Sequence, residues 1–429
     1  MVREDTYPNA NPYALWLCGI PGIGNTTIHA LMKKASSAEE VYHMQEQELC
    51  QLLVESAMED RERREREVEE CGLEKCGAGE RGAEGHENGQ RQRRQSDAKI
   101  QSSAAKRAAV IARAQEEDPA QKAAALRQRG IGFTSQEDQD FPGRLRGIPD
   151  NPYGLYYVGA LPREDRPSVA IVGARNCSGY GREQARIFAE KMAMRGITIV
   201  SGMARGVDGI AGRAAIEAGG DSYAVLGCGV DVVYPTENAL LYQLLKEKGG
   251  ILSEMPPGTQ PRSQLFPKRN RLISGLSDAV LVIEARRRSG TVITVDAALE
   301  QGRDIFALPG RVCDSLSDGC NFLISQGAAI ACTPETVVEH FYGVSPEGTD
   351  MSETNRKRRL ARRAELDGLE AVCFDVLGQG DVMESSFLQQ RMEFIIGRRI
   401  SVEEFMRCMV NLQIRGLAQE VGMGHFRGI

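Results

Sequence analysis

Short runs of aliphatic residues alternate with amphipathic segments from about residue 130 to residue 342, and this alternation constrains the fold more than any other feature. The predicted strands are SVAIVG, ITIVSG, SYAVLG, GILSE, AVLVIEA and DIFALPG. The predicted helices lie around REQARIFAEKMAMR, GIAGRAAIEAG, ALLYQLLKEKG, TVITVDAALEQG and GCNFLISQG. Because strands and helices alternate, we predict an α/β fold with a parallel sheet and helices on both faces. Ligands of such sheets bind at the carboxyl ends of the strands.

The regions before this sheet domain differ from it in composition. Residues 1–57 predict a compact helical module, and residues 58–129 form an insertion rich in Glu, Arg, Gln and Ala. Because its apolar residues are few, the insertion cannot bury a core of its own, and we predict a long exposed helix or a disordered segment. A DNA-binding arm through Arg91, Arg93 and Arg94 is the alternative to a solvated spacer, and the spacer is favoured.

A basic linker and a C-terminal module follow the sheet domain, which we place at residues 130–343. The linker, residues 344–364, contains the basic run RKRRLARR. Residues 365–429 predict three amphipathic helices followed by a short, glycine-broken end. This pattern is typical of a winged-helix-like module, and a small helical interaction module is an equally weighted alternative.

Charge and cysteine content limit the function classes. The formal net charge is −6, so a site for a polyanion must be a local cluster of Lys and Arg rather than a field of the whole molecule. The 11 cysteines include no CxxC pair, which is typical of reduced cytosolic thiols. No run of 18 apolar residues occurs, and the N-terminal residues lack an apolar signal core. We therefore predict a cytoplasmic protein without membrane contact and without a structural metal.

No catalytic constellation is recognisable at the predicted strand ends. The sequence has no GxxxxGK[ST] motif, and the turn from Gly173 to Gly181 is not GxGxxG. None of the five histidines follows a predicted strand, so the commonest general base is missing. Four carboxylates do follow strands, and we assign them to helix capping or loop contacts: Asp208, Asp231, Glu254 and Glu284. The prediction is a protein without catalytic residues, bound metal or cofactor.

Three turns at the predicted carboxyl edge are suited to anions. They contain Gly173, Gly179 and Gly181 in the first, Gly202, Gly206 and Asp208 in the second, and Ser289, Gly290 and Thr291 in the third. Each precedes a predicted helix, whose free N–H groups and dipole stabilise phosphate. Arginines accompany them: Arg175, Arg205 and Arg286–Arg288. A single turn of this kind would serve only a tight connection, but several at one edge favour phosphate binding.

The segment FPKRNRLISG carries the densest positive charge near this edge. Lys268, Arg269 and Arg271 fall within four residues, and we place them on one turn before an apolar stretch. Cations so close repel one another unless an anion meets them. A polyphosphate partner, with Phe266 as a stacking face, is the favoured interpretation. Alternatively, one of the two arginines pairs internally with Glu254 or Asp278.

The ordered motifs of residues 140–342 resemble the DNA-processing protein A (DprA/Smf) family. The matching text is FPGRLRGIPDNPYGLYYVG, VAIVGAR, SGMARGVD, GCGVDVVYP, SEMPPG, FPKRNRLISGLSD, SGTVIT, QGRDIFALPG and GCNFLISQGA. The resemblance implies an extended Rossmann-like domain that binds single-stranded DNA and forms a homodimer. It also implies that the protein hands the strand to the RecA recombinase during natural transformation, without catalysing a reaction. The insertion at 58–129 lies outside the family pattern.

The same resemblance implies roles for individual residues. Arg175 and Lys268 look like the main DNA-contacting cations, and Arg205, Arg269 and Arg271 like secondary ones. The predicted DNA-binding set is Gly173, Arg175, Gly202, Arg205, Phe266, Lys268, Arg269, Asn270, Arg271, Ser289, Gly290 and Thr291. One departure is clear, because the family usually carries Ala-His after the GVD motif and this chain has Ala211-Gly212.

The N-terminal text LCGIPGIGNTTIHALM looks like a helix-hairpin-helix. Gly22 and Gly24 would present backbone amides to a DNA phosphate as a secondary site, and Thr26 or Thr27 would cap the following helix. A module that contacts only protein is an equally weighted alternative.

Two further functions compete with DNA binding by the sheet domain. A nucleotide-binding or nucleotide-cleaving Rossmann-like enzyme or sensor would use the same pocket for a small ligand. A structural adaptor would act through the helical end modules alone.

Overall fold

The computed structural model describes residues 10–73, 84–343, 363, 366–377, 382–422 and 424–428. The chain divides into two compact units, Met1–Gly343 and Val344–Ile429. Across these described ranges, no helix is both long enough and apolar enough to cross a bilayer.

Six helices begin the first unit: α1 (Pro12–Cys18), α2 (Asn25–Met32), α3 (Ala38–His43), α4 (Glu46–Leu73), α5 (Glu84–Ala114) and α6 (Pro119–Gln128). Their core includes the fully buried Trp16, whose indole Nε1 donates to the Ala114 carbonyl oxygen at 2.8 Å. The predicted boundary between residues 57 and 58 falls inside α4, because the Glu and Arg of the insertion are good helix formers and continue it. The alternative of a DNA-binding arm depends on the side chains of Arg91, Arg93 and Arg94, which are not among the side chains that the structure describes.

A nine-stranded sheet forms the centre of the first unit. Its strands are β1 (Gly132–Ser135), β2 (Gly154–Gly159), β3 (Ser168–Val172), β4 (Thr198–Ser201), β5 (Ser222–Val225), β6 (Gly250–Ser253), β7 (Ala279–Val282), β8 (Asp304–Ala307) and β9 (Ala329–Ile330). Their order is β1-β2-β6-β5-β4-β3-β7-β8-β9. Strands β3 to β9 are mutually parallel, whereas β2 pairs antiparallel with β1 and β6. The predicted extended Rossmann-like sheet is confirmed.

Helices cover both faces of this sheet: α7 (Gly179–Met194), α8 (Val207–Glu217), α9 (Ala239–Lys248), α10 (Leu265–Gly275), α11 (Gly290–Glu300), α12 (Asp318–Ser325) and α13 (Pro334–Tyr342). Side chains of β3 alternate between the faces, as strand geometry requires. Val169 and Ile171 pack with Phe188 of α7, whereas Ala170 and Val172 join the cluster of α10, α11 and α12. The core is thus two layers separated by the sheet.

The FPKRN segment differs from its prediction, because it lies at the start of helix α10 and not on a turn. Successive side chains of a helix diverge by about 100°. Its three cations therefore point in different directions. The prediction also missed the edge strands β1 and β9, which are short, and β2, which lies between β1 and β6.

The second unit contains α14 (Gly368–Leu377), β10 (Val382–Glu384), α15 (Ser385–Ile396), α16 (Val402–Ile414), β11 (Ala418–Gly422) and β12 (His425–Gly428). The strands form an antiparallel sheet in the order β10-β12-β11. A capping box begins α16, with the Ser401 hydroxyl accepting from the Glu404 N–H. The assignment of this unit as a winged helix stays a prediction. The basic linker lies outside the described residues except for Arg363, which pairs with Asp375 at 2.6 Å.

Candidate functional site

A cleft of about 620 Å³ lies at the carboxyl ends of the parallel strands. At the cleft, β3 has β4 on one side and β7 on the other. The order of the strands along the sheet therefore reverses direction at β3. Such a switch point is where open α/β sheets bind ligands. An inner pocket of about 230 Å³ shares several of its walls, among them Arg175, Tyr234, Phe266 and Arg269.

Two aromatic rings form one wall of the cleft. Tyr234 and Phe266 stack with their centroids 5.6 Å apart and their planes 25° apart. The Arg175 guanidinium lies 5.7 Å from the centre of the Phe266 ring, within reach of a cation–π contact. Sequence reasoning found Phe266 and missed Tyr234, which is 42% exposed. The sequence signal that could have identified Tyr234 is its position in the loop that follows β5.

Arg175 and Lys268 are the predicted main cations, and both are exposed. Neither has a carboxylate partner among the residues whose side chains the structure describes. Their positions differ, because Arg175 lines the cleft while Lys268 does not. Lys268 follows Phe266 by two positions on α10, which places it on another side of the helix. The cleft itself therefore brings together Arg175 and the aromatic pair.

Arg269 is buried, with 7% of its surface exposed. Its Nη1 donates to the carbonyl oxygens of Gly202, at 2.9 Å, and of Val225. Burial lowers the pKa of Arg269 to about 10 while Asp208 opposes the shift, so the guanidinium stays charged at neutral pH. The interpretation of Arg269 as a DNA-contacting cation needs correction, because its donors tie the ends of β4 and β5 together.

Arg271 is held by carboxylates. Its Nη1 and Nη2 donate to the two Glu254 oxygens at 2.8 and 2.7 Å, and its Nε donates to Asp150 at 3.1 Å. This is the internal pairing that the sequence analysis left open, and it removes Arg271 from the predicted phosphate-binding set. Arg205 pairs with Glu237 at 2.6 Å, but both side chains are more than half exposed. Water screens that pair, so it holds Arg205 only weakly.

Two of the three predicted anion turns are filled by the protein's own carboxylates. At the start of α7 the Glu284 carboxylate accepts from the Ser178 N–H at 2.8 Å, and a Cβ at Gly181 would overlap it. Before α8 the Asp208 carboxylate accepts from the Gly202 N–H at 3.0 Å. Burial raises the pKa of Asp208, although the charge of Arg269 and the Gly202 N–H act in the opposite direction. The expectation that both turns receive an external anion is therefore wrong.

The third turn, before α11, is open. Ser289 is the N-cap of this helix, but its hydroxyl makes no capping hydrogen bond. Its Oγ is buried without a hydrogen-bond partner among the described atoms, and Ser289, Gly290 and Thr291 all line the cleft. Asn270 fastens the turn to α10 by donating to the Gly290 carbonyl at 3.4 Å. The free N–H groups at the start of α11 therefore face the cleft together with Arg175.

The N-terminal hairpin packs against the sheet domain through Asn25. The Asn25 amide donates to Glu254 Oε1 at 2.6 Å, and its oxygen accepts from the Tyr153 N–H at 3.3 Å. Gly22 has φ +83°, and Gly24 is the N-cap of α2, so neither Thr26 nor Thr27 caps it as predicted.

Gly212, where the family usually has His, lies buried in α8 away from the cleft. A Cβ at this position would meet the Ser222 Oγ at 3.5 Å and the Ser201 Oγ at 3.7 Å. The Ser222 hydroxyl has no hydrogen-bond partner within the part of the chain that is described. A side chain at this position would therefore begin among core atoms beneath α8, beside Ser201 and Ser222.

Comparison with known proteins matches the sheet domain to one family. The profile of the DNA recombination-mediator protein A family covers residues 132–342. Protein Smf of Escherichia coli is 44% identical over 205 residues, which are 48% of this chain and 55% of that protein. DNA processing protein DprA of Streptococcus pneumoniae is 42% identical over 204 residues, which are 48% of this chain and 72% of that protein.

The fold agrees with the sequence match. The crystal structure of DNA processing protein A from Streptococcus pneumoniae superposes with a TM-score of 0.57 at 28% identity, covering 77% of this chain and 98% of that one. The chain spans little more than half the length of the Escherichia coli relative, and its match to the pneumococcal relative covers more than two thirds of that protein. The resemblance inferred from the motifs is confirmed, and the chain belongs to the DNA recombination-mediator protein A (DprA/Smf) family.

Proposed function

We propose that this protein binds single-stranded DNA in the cleft at the carboxyl rim of its sheet. The observation that carries the proposal is the meeting of Arg175, the Tyr234–Phe266 pair and the open start of α11 in one cleft. A phosphate would contact Arg175 and the N–H groups at Gly290 and Thr291. Lys268, on another side of α10, would meet a neighbouring phosphate of the same strand.

The aromatic pair favours a single strand over a duplex. A base can stack on Phe266 or Tyr234 only if its face is free, and in a duplex both faces are covered by neighbouring bases. Stacking does not depend on base identity, so we expect little sequence preference. Gly173 and Gly202 leave the proposed DNA-binding set, because internal carboxylates fill their turns. The residues that remain are Arg175, Arg205, Phe266, Lys268, Asn270, Ser289, Gly290 and Thr291, with Tyr234 added.

The biological role that we propose is non-enzymatic and follows from family membership. As a recombination mediator, the protein would hand bound single-stranded DNA to the RecA recombinase during natural transformation in the cytoplasm. It would act as a homodimer through the Rossmann-like domain at residues 130–343. The helix-hairpin-helix-like module, the insertion, the linker and the winged-helix-like module would flank that domain with the boundaries given above.

Fluorescence anisotropy with a labelled oligonucleotide across a salt series tests DNA binding. For a single strand, log K should fall with log salt at a slope of about −0.7 for each phosphate neutralised. Unlabelled single strand should compete at lower concentration than unlabelled duplex. Binding that does not change with salt, or stronger competition by duplex, would contradict the proposal.

A mononucleotide site is the second candidate, because the inner pocket of about 230 Å³ has an aromatic wall and a cationic one. Thermal shift separates the two functions. Stabilisation by a mononucleotide without stabilisation by an oligonucleotide would favour a nucleotide sensor or enzyme. Stabilisation by the oligonucleotide alone supports the DNA-binding function.

A further inference from the structure

Helix α5 of the first unit carries a row of cations on its outer side. Its inner side is buried in the N-terminal core through Ala104 and Ala108. Lys99, Lys106 and Arg113 follow one another at intervals of seven residues, and all three are exposed. Because seven residues make nearly two turns of a helix, these three side chains lie on one face, opposite the buried alanines. We call Lys99, Lys106 and Arg113 the cationic row.

The cationic row is not neutralised by its own helix. None of its three members has a carboxylate partner among the side chains that the structure describes. Between residues 95 and 114 the only acidic residue is Asp97, which lies on the inner side and pairs with Arg61 of α4. Arg61 also holds Glu65 of α4 at 3.6 Å. The carboxylates where the two helices meet are therefore engaged with Arg61.

The other carboxylates of α4 beside this region are turned towards α2. Glu59 pairs with Lys34 at 2.9 Å, and Asp60 pairs with Lys33 at 3.1 Å. Glu62 is exposed and follows Glu59 by three positions, so it lies on the same side of α4 as Glu59. The row on α5 therefore faces away from the acidic side of its neighbour.

The acidic residues that follow α5 oppose only the last cation of the row. Glu117 pairs with Lys122, and Asp118 caps the start of α6. Glu116 is exposed just beyond the end of α5, three residues after Arg113. Its charge reduces the attraction of Arg113 for an anion, so the first two members of the row are the stronger ones.

The composition of the exposed face indicates the class of anion. The other exposed residues on it are Gln95, Ser102 and Ala109, and beside them Val110 is 42% exposed. A helix that lies on a membrane needs a broad exposed apolar face, and the core of a protein interface is rich in aromatic residues and Met. Neither is present here. Cations separated by small or polar side chains suit the phosphates of a nucleic acid.

We propose that the cationic row binds the phosphate backbone of duplex DNA without reading its sequence. Surfaces for single strands combine cations with aromatic platforms, and the sequence of α5 contains no Phe, Tyr or Trp. Lys99 and Arg113 are 14 residues apart, so the row extends straight over about 21 Å. A straight row can follow the rigid backbone of a duplex, which carries one charge per about 1.7 Å of its axis.

This duplex site goes beyond the proposed function and does not depend on it. No residue of α5 lines the cleft. The site gives the insertion at residues 58–129 a role other than that of a solvated spacer. With both sites, the protein holds a single strand at the rim and a duplex on α5.

Fluorescence anisotropy of the full-length chain with a labelled short duplex tests the proposal. On a duplex, log K should fall with log salt at about −0.9 for each phosphate neutralised. The double variant Lys99→Gln with Lys106→Gln should reduce duplex affinity about fivefold, as expected for two exposed charges, and the magnitude of the salt slope by about 1.8. Glutamine keeps a high helix propensity, and circular dichroism checks that the helices are retained.

Two comparisons locate the effect on the row. The control Lys246→Gln with Lys248→Gln removes the same charge from exposed positions of α9 and should change duplex affinity less than twofold. Within the row, Arg113→Gln should reduce duplex affinity less than Lys106→Gln does, because Glu116 already opposes Arg113.

The affinity of the Lys99→Gln, Lys106→Gln variant for a short single strand should stay within twofold, because the cleft is unchanged. This measurement separates the two sites: failure of single-strand binding by the unchanged protein would contradict the proposed function and leave the duplex result to be judged by itself.

Four outcomes would overturn the duplex site. They are the absence of duplex binding at low salt, an equal loss of duplex affinity in the α9 control, a loss of single-strand affinity as large as the loss of duplex affinity, and competition with the duplex by vesicles of anionic phospholipid. The third would make α5 a general phosphate contact, and the fourth would assign the row to a membrane surface.

Discussion

The carboxyl rim of the sheet and the hairpin between α1 and α2 look alike in sequence, since both place glycines directly before a helix. In the structure they differ in their cations. At the rim, Arg175 and Lys268 have no carboxylate partner among the described side chains. Near the hairpin, Lys33 pairs with Asp60 at 3.1 Å and Lys34 with Glu59 at 2.9 Å. Both lysine pairs are exposed and therefore weak, like that of Arg205, so they neutralise the hairpin's cations only in part. Phosphate binding needs positive charge as well as amides, and the rim has the cations that no carboxylate opposes.

The same contrast exists within the rim. The turn before α11 is open, whereas Glu284 fills the turn before α7 and Asp208 fills the one before α8. A glycine turn and a helix N-terminus are needed for any tight strand–helix connection. What decides anion binding is whether an internal carboxylate already occupies the amides.

The largest expected effect is on stability and concerns Arg271, a cation that is already paired with carboxylates. Arg271→Ala should lower the free energy of unfolding by about 3 kcal/mol, because it leaves the largely buried Glu254 carboxylate without its cation. Urea titration followed by the fluorescence of Trp16, the single tryptophan, measures this change. The affinity for single-stranded DNA, measured below the unfolding transition, should stay within about twofold.

Arg205→Ala is the matched control, because its ion pair with Glu237 is exposed and contributes little. If Arg271→Ala left the free energy of unfolding unchanged and reduced DNA affinity instead, the result would contradict the distinction between cations that are paired internally and cations that are available to DNA.

Smaller effects, on DNA affinity, are expected for Arg175 and Lys268, which have no carboxylate partner among the described side chains. Arg175→Ala should reduce affinity for single-stranded DNA by roughly tenfold or more, as expected for a charge-assisted contact inside the cleft. Lys268→Ala should reduce the affinity less, about threefold, because Lys268 lies outside the cleft and would contact a neighbouring phosphate as an exposed charge. Each change should reduce the magnitude of the salt slope by about 0.7.

Lys248→Ala provides the control, since this exposed lysine ends α9 just before β6, at the opposite edge of the sheet. An equal loss for Lys248→Ala and Arg175→Ala would mean that affinity follows total charge and not the rim.

The sequence predicted the six parallel strands β3 to β8 because their signals are local. Each of these six is a short aliphatic run, and the alternation with helices indicates the fold class. The motifs also located the cleft, since Gly173–Arg175, Phe266 and Ser289–Thr291 all converge there. Convergence follows from topology, because the carboxyl ends of parallel strands meet at one edge.

The partners of individual side chains could not be predicted in this way. Arg269 and Arg271 are two positions apart, and only the helical phase of α10 sends one to backbone carbonyls and the other to Glu254. That phase was hidden because the dense positive run predicted a turn and not a helix. Tyr234 was missed because its contact with Phe266 joins residues 32 positions apart, beyond any local pattern.

Phe266→Ala tests the aromatic wall and should have a smaller effect than Arg175→Ala. Loss of one stacked base should reduce affinity by roughly fivefold, near 1 kcal/mol. The salt slope should not change, because no phosphate contact is removed. Phe266→Tyr keeps an aromatic ring and should retain the DNA affinity of the unchanged protein. A reduced slope for Phe266→Ala would instead show that Phe266 acts by positioning Arg175, whose guanidinium lies 5.7 Å from its ring.

The smallest effects come from placing the same methyl group in each of the two glycine turns. Gly290 and Gly24 both have open space around a Cβ, so either alanine should be tolerated by the fold. At the open start of α11, Gly290→Ala should hinder the approach of a phosphate and weaken binding about threefold, less than a full hydrogen bond contributes. At the hairpin, Gly24→Ala should leave the affinity within twofold, because Lys33 and Lys34 are paired with carboxylates there and the rim cations are not. Anisotropy at one salt concentration compares the pair, and a larger loss for Gly24→Ala would make the hairpin, not the rim, the principal phosphate contact.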